Sequence, residues 1–354
     1  MVVVAAVTLD LCLTVLPALY AHPIPVEWGS PELVYHHPFV DALDVKALVV
    51  GDTEYLFALF DDYTDLDSME EESGSIIRYV TRAADGWSNL TTVRLDHKVN
   101  GAFDCVYDGT AREFLIFYRN TNGSTPALYL ARGPLDRMSP SQFIVRGNES
   151  YMPVEGPYDM SAAIAPDGRV DLVFRYTTGM TENLNAVYLM TYDGTSWSEP
   201  ELVGVGNSPA AIRGRDGALQ LYTNLWTLVD RVQYCVSEWT ERGGAWSHHP
   251  IETSAQDCNV EPFVIDDAKG DRFLVYNHQD CEVGAKTDLL VQMRPRGGGW
   301  GPYERIVVGV PGYDETLWVH HYGIEGPCAT IHGDDFNVYY ISHGDVYSVE
   351  GRFR

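Results

Sequence analysis

A single all-β ring, a six-bladed β-propeller of four-stranded antiparallel blades, is the fold this sequence predicts, and three observations carry the prediction. The first is a recurring turn in which a strand-like segment ends in glycine, passes a tryptophan and enters another strand. The copies read Asp85-Gly86-Trp87-Ser88, Asp193-Gly194-Thr195-Ser196-Trp197-Ser198, Gly243-Gly244-Ala245-Trp246-Ser247 and Gly298-Gly299-Trp300-Gly301, with a fifth at Glu27-Trp28-Gly29. The second is spacing. From Trp87 onward the tryptophans of these turns lie 110, 49 and 54 residues apart, so a unit of about 50 residues repeats and one copy has lost its Trp; periods of this size mark propellers and other repeat arrays. The third is a deficit at one end matched by a surplus at the other. The last unit supplies strands only at 328–332, 336–342 and 345–353, while Trp28-Gly29-Ser30-Pro31-Glu32-Leu33-Val34 mimics Trp197-Ser198-Glu199-Pro200-Glu201-Leu202-Val203. Pairing 26–35 with the carboxyl-terminal strand closes the ring and removes the open edges of a linear array.

Each unit reads as strand a, a Gly or Asp turn, a strongly β-prone strand b, a polar loop, strand c, the Gly-Trp turn and strand d. The clearest has a at 161–165, a turn at Asp167-Gly168, b at 170–176, c at 186–192 and d at 199–205. The others fall near 44–96, 100–148, 208–254, 260–309 and 325–354. Residues 22–354 are therefore expected to form one propeller domain, a size at which a closed all-β ring needs no second core.

Residues 1–21 read as a secretory signal: 2–21 are largely apolar and end in Ala18-Leu19-Tyr20-Ala21 before Pro23 and Pro25. Three N-glycosylation sequons, at Asn89, Asn122 and Asn148, fit an exported, secreted or cell-surface glycoprotein. No later segment is long and apolar enough to span a bilayer as a helix. With 50 acidic against 24 basic residues the net charge is −26, a field that repels phosphate backbones, so nucleic acid is not an expected partner.

With Asp-Gly and Trp at the c-to-d turn, the six units resemble the sialidase superfamily and its BNR-repeat relatives. Asp193-Gly194-Thr195-Ser196-Trp197 stands as a degenerate form of their Ser-x-Asp-x-Gly-x-x-Trp box. Six-bladed fucose lectins are a second likeness of the same shape. The resemblance implies carbohydrate chemistry. A sialidase pattern would use Arg119 and Arg175, on adjacent blades, as two arms of a carboxylate clamp with Tyr176 beside them; a third arm and the Arg-Ile-Pro of that pattern are not evident.

Because d-to-a and b-to-c loops share one face, the starts of strand a place Asp44, Asn100, Asp159, Ser208, Glu261 and Glu325 around a funnel mouth, with the Trp turns opposite. The ends of strand b add Asp61, Arg119, Arg175, Tyr176, Asn224, Trp226, Asn277 and His278. Carboxylates, amides, arginines and aromatics converging on one mouth suit a sugar, whose hydroxyls need paired donors and acceptors and whose C–H faces need rings. The leading expectation is an exported propeller that binds glycans or glycosylated surfaces there. Two alternatives stand beside it: a glycoside hydrolase or polysaccharide lyase using a carboxylate pair drawn from Asp44, Asp61, Asp159, Glu261 and Glu325, with Asp159, Glu261 and Asp61 foremost, and a structural or adhesive module.

The acidic mouth also suggests a carboxylate-bound Ca²⁺ as the cofactor to look for, since hard cations take oxygen ligands. Cys258 precedes strand a of the fifth unit and Cys281 follows its strand b on the same face, so a Cys258–Cys281 disulfide is expected; Cys105 and Cys328 read as buried apolar residues.

Overall fold

The computed structural model describes residues 23–36, 42–61, 75–83, 86–122, 125–147, 156–177, 185–214, 216–229, 231–251, 257–280, 286–311 and 324–354. It is all-β, six blades of four antiparallel strands in a ring, with no helix among the described residues. The innermost strands, a in each blade, are Ala42–Val50, Phe103–Asp108, Gly156–Ile164, Asn207–Arg213, Asp257–Asp266 and Ile324–His332, and they define blades I to VI. Strands b (Thr53–Asp61, Glu113–Asn122, Val170–Thr177, Leu219–Val229, Arg272–Asp280, Asp335–Ser342) and c (Ser75–Ala83, Thr125–Gly133, Asn185–Tyr192, Arg231–Arg242, Lys286–Arg294, Asp345–Phe353) follow outward.

Burial explains the sequence pattern. Blades stack face to face, so middle strands are covered on both sides and read as almost continuous apolar runs; Thr125–Gly133 is buried at all but one position. Outer strands such as Gln142–Arg146 and Glu201–Val205 have one wet face and alternate. The core lies between blades. Phe57, Leu59 and Ile77 of blade I meet Phe103, Ile116 and Tyr118 of blade II, and Phe273, Val275 and Leu289 of blade V meet Phe336 and Val338 of blade VI.

The Trp turns reach across these seams. Trp87 packs edge-on against Tyr339 of blade VI, Trp197 against Phe117 of blade II, and Trp300 against Tyr222 of blade IV. The indole N–H of Trp246 donates to Glu201 of blade III at 2.9 Å. In the turn before Trp197, the Asp193 side chain accepts from the Thr195 N–H, the Thr195 hydroxyl and the Ser196 N–H, which holds its carboxyl at about 2.

Ring closure follows the sequence expectation. Val26–Trp28 and Glu32–Tyr35 together form the outer strand of blade VI, each antiparallel to Asp345–Phe353. Gly351 makes this pairing possible: a Cβ there would lie 2.6 Å from both Trp28 and Val26. His36 Nδ1 sits 2.7 Å from Asp345, and the Arg354 N–H donates to Pro25 O at 3.0 Å.

Five of the six inner strands carry an irregularity at the same end, and in blade II a glycine precedes the strand there. Register slips occur between Ala42 and Asp44, Pro157 and Met160, Asn207 and Ala210, Val260 and Phe263, and Glu325 and Cys328, while the glycine before blade II is Gly101 (φ +81°). Ser208, Glu261 and Gly326 lie in the left-handed region with φ of 45°, 54° and 54°, and each precedes a proline. A bulge leaves one residue unpaired in the ladder, so the missing proline N–H costs nothing there.

Several expectations fall outside the described residues: the signal at 1–21, the Asn148 sequon, Cys281 and the side chains of Cys258, Asp61, Asn122 and Trp226. The Cys258–Cys281 disulfide is among them, and no disulfide occurs among the described residues. Asn89 is exposed, and Cys105, Cys235 and Cys328 are buried free thiols. No helix among the described residues is long and apolar enough to cross a membrane.

Candidate active site

The bulged ends of the inner strands surround a cavity of about 470 Å³ on the ring axis. Asp44, Asp159, Ser208, Glu261 and Glu325 line it, as the sequence placed them; in blade II the lining is Gly101 to Tyr107 rather than Asn100. A bulge turns the extra residue out of the pleat and aims its side chain at the axis.

Neighbouring inner strands are stitched by side chains that accept the next blade's backbone N–H. Asp104 accepts from Ala162 at 2.6 Å, Ser161 from Ala211 at 3.0 Å, and Glu261 from Gly326 at 2.7 Å. The same Glu261 oxygen accepts from Asn277 Nδ2 at 2.8 Å, and Asn277 also donates to Ile324 O at 2.7 Å. Burial pushes the Glu261 carboxyl up to about 7; the Gly326 N–H pulls the other way, and Glu325, Asp44 and Asp159 add repulsion.

Asp44 stands on the other side of Gly326. Its Oδ1 lies 3.3 Å from where a Gly326 Cβ would be, and 2.8 Å from the Lys46 ammonium. Contact with one residue holds the nearest oxygens of Asp44 and Glu261 no more than about 8.5 Å apart, given standard backbone dimensions. Burial raises the Asp44 carboxyl and the Lys46 charge opposes it. Burial works against the ammonium as well, but Asp44 and Asp104 outweigh it and hold Lys46 above the ordinary lysine value. Asp104, which also lines the cavity and is bonded by the Cys105 and Ala162 N–H groups, is raised by burial to about 6.

Strand b residues mostly stand behind this ring. Arg175 meets Asp159 at 3.2 Å and donates to Asn207 Oδ1 at 3.3 Å, bracing the mouth between blades III and IV. Arg119 donates to Asn100 O at 3.1 Å and so shapes the entry to blade II. Tyr176 packs edge-on against Tyr188. Asn224 and His278 are buried within blades IV and V, and Asn224 Oδ1 has no hydrogen-bond partner among the described residues. Within the strand b set, Asn277 and Arg175 are bonded to lining carboxylates, Glu261 and Asp159. For the Ca²⁺ expected at the mouth, no group of three or more His, Cys, Asp or Glu side chains placed to hold a metal occurs among the described residues.

Lys46 and Asp104 escaped the sequence reading because they follow the strand starts instead of forming them. Their signal was present: Lys46 is one of four lysines, two residues from Asp44 in an otherwise apolar strand, so period two puts both charges on one face.

The chain matches no protein-family model and no curated protein. Solved structures share its fold. A protein of unknown function from Dyadobacter fermentans aligns with a TM-score of 0.64 at 13% identity, covering 94% of this chain and 100% of its own. The α-L-arabinanase of Penicillium chrysogenum, solved with arabinobiose, aligns with a TM-score of 0.62 at 11% identity over 92% of this chain and 98% of its own. At these identities the likeness is one of fold, a six-bladed propeller shared with a glycoside hydrolase.

Proposed function

We propose that the chain is a glycoside hydrolase acting on neutral sugar units at the mouth of the axial cavity, with Glu261 as general acid and Asp44 as general base or nucleophile. One observation carries the reading: two carboxyl groups face each other across Gly326 in contrasting surroundings. Burial raises both carboxyls, but the ammonium 2.8 Å from Asp44 opposes its rise, whereas Glu261 sits among other acids and is raised to about 7. Glycosidic cleavage needs one carboxyl protonated and one ionised, roughly 5 to 10 Å apart, and environments that separate two such groups assign the roles. Asp159 and Glu325 act through charge, sustaining the proton on Glu261. The arabinanase that shares the fold supports this reading over glycan binding without turnover.

The lining favours hydrolysis of uncharged sugars over lyase or sialidase chemistry. Both of those bind a substrate carboxylate, and among the described lining residues Lys46 is the one cation, already engaged by Asp44. Arg119, an expected clamp arm, is committed to the Asn100 carbonyl.

A panel of chromogenic neutral glycosides and arabino-oligosaccharides tests the reading. Turnover by the natural chain, lost in Glu261→Gln and Asp44→Asn with circular dichroism unchanged, is the expected result. A glycan array that shows binding while no glycoside is cleaved would return the mouth to a lectin-like role, and turnover indifferent to both substitutions would overturn the assignment.

A further inference from the structure

A second cavity, of about 540 Å³, opens on the face opposite the mouth, between blades IV and V. The a-to-b turns contribute Asp216 and Gly270, and the c-to-d turns contribute Arg242 and the run Pro295-Arg296-Gly297-Gly298. Four of the chain's arginines, Arg242, Arg272, Arg294 and Arg296, gather here in a molecule of net charge −26.

Their bonding divides them into two pairs. Arg272 gives Nε and Nη2 to Asp266 at 2.6 and 2.8 Å and Nη1 to the Tyr222 hydroxyl at 3.2 Å. Arg294 gives Nη1 to both Glu238 oxygens at 2.7 Å and Nη2 to Gln220 at 2.9 Å, and lies 4.9 Å over the Trp300 ring. The third acid in the lining, Asp216, accepts from the Ala218 N–H at 3.0 Å. Arg242 and Arg296 are exposed at the rim, one on each blade, and neither guanidinium has a side-chain partner among the described residues. Asp266 and Glu238 thus offset Arg272 and Arg294, Asp216 leaves the floor one negative charge in excess, and the rim answers it with two open guanidinium forks, although the Asp271 carboxylate accepts from the Arg296 backbone N–H at 2.9 Å. Beside them stands His249, and the Thr240 hydroxyl of the same lining is buried without a partner among the described residues.

We propose that this cleft binds an oxyanion, the carboxylate or sulfate group of an acidic sugar or free inorganic sulfate, between Arg242 and Arg296. Guanidinium groups match such groups in planar, two-point fashion. The distant acidic surface does not forbid it, because at physiological ionic strength charges beyond about 8 Å are largely screened. The site is independent of the axial cavity: an acidic glycan held here would tether the propeller by its far face and leave the mouth free for uncharged residues.

The test is calorimetric titration of the full chain at about 0.15 M ionic strength with three probes: inorganic sulfate, D-glucuronate and a sulfated disaccharide. The expected result is saturable binding that weakens with added NaCl and falls about tenfold or more in Arg242→Ala/Arg296→Ala. Both positions are exposed, so the variant should keep the natural circular dichroism and melting temperature, and Arg242→Lys/Arg296→Lys should retain part of the affinity. Tighter binding of the two sugars than of sulfate identifies a glycan ligand; equal binding identifies a free anion. No saturation by any probe, or affinity unchanged in the double alanine variant, overturns the proposal whatever becomes of the hydrolase reading.

Discussion

Asp44 and Glu261 address the same residue from two sides: the Gly326 N–H donates to Glu261 at 2.7 Å, and the Asp44 carboxylate lies 3.3 Å from the place a Gly326 side chain would begin. The residue has φ +54°, so both its conformation and its missing Cβ are in use. Gly326→Ala should therefore cost about 1–2 kcal/mol of stability and displace Asp44. Activity should fall further than the melting temperature accounts for, which kcat and thermal unfolding on one preparation will show.

Glu261 sets a pH dependence with a defined sign. Its carboxyl is raised from 4.5 to about 7, so between those values the folded chain holds a proton the unfolded chain has released. Its contribution to stability is lost as pH rises through that window, by about 3 kcal/mol at most. The stability of Glu261→Gln relative to the natural chain should consequently improve from pH 4.5 to 8 in denaturant titrations. A difference flat with pH would mean that Glu261 ionises normally.

Activity should show the same group. If Glu261 donates the proton, kcat/KM should decline with an apparent value near 7 on the alkaline side, since the ionised form has none to give.

Lys46 is the countercharge for Asp44 at 2.8 Å and also acts on Asp104. Lys46→Met should cost about 3 kcal/mol, the usual scale for orphaning one partner of a buried pair, and should move the acid limb of kcat/KM to higher pH. Asp44→Asn in the same chain should recover part of the stability, because the unpaired charge is then gone. A double-mutant cycle with no coupling would refute the pairing.

Gly351 controls closure of the ring. Any Cβ there meets Trp28 and Val26 at 2.6 Å, so Gly351→Val should dislodge the outer strand of blade VI at a cost of about 1–3 kcal/mol or more. Proteolysis near residues 23–36 should become faster while the core of blades II to IV stays protected.

The sequence made the fold legible because propeller signals are local and repeated. Trp197 and Trp300 announce seams through the turns they sit in, and Trp28 announces closure by copying the context of Trp197. The mouth was half legible. Asp44, Asp159, Ser208, Glu261 and Glu325 begin inner strands, and position in the repeat was enough to place them. Arg119 and Tyr176 also end strands on that face, but strand b is one layer out, and there they brace the entry to blade II or pack on Tyr188. Which two of the five mouth acids approach one another was not readable, because the approach of Asp44 to Glu261 depends on how the first blade meets the last around Gly326. Asp159, one of the acids expected to be catalytic, is engaged by Arg175.

The strands that complete blade VI come from opposite ends of the chain. During synthesis Val26–Trp28 emerges long before Asp345–Phe353 exists, and until then it is a solitary ribbon with unmet hydrogen bonds. Contacts between such remote positions slow folding, and the first-made segment has no partner strand until the last-made one exists, an interval in which a free ribbon is open to pairing between chains.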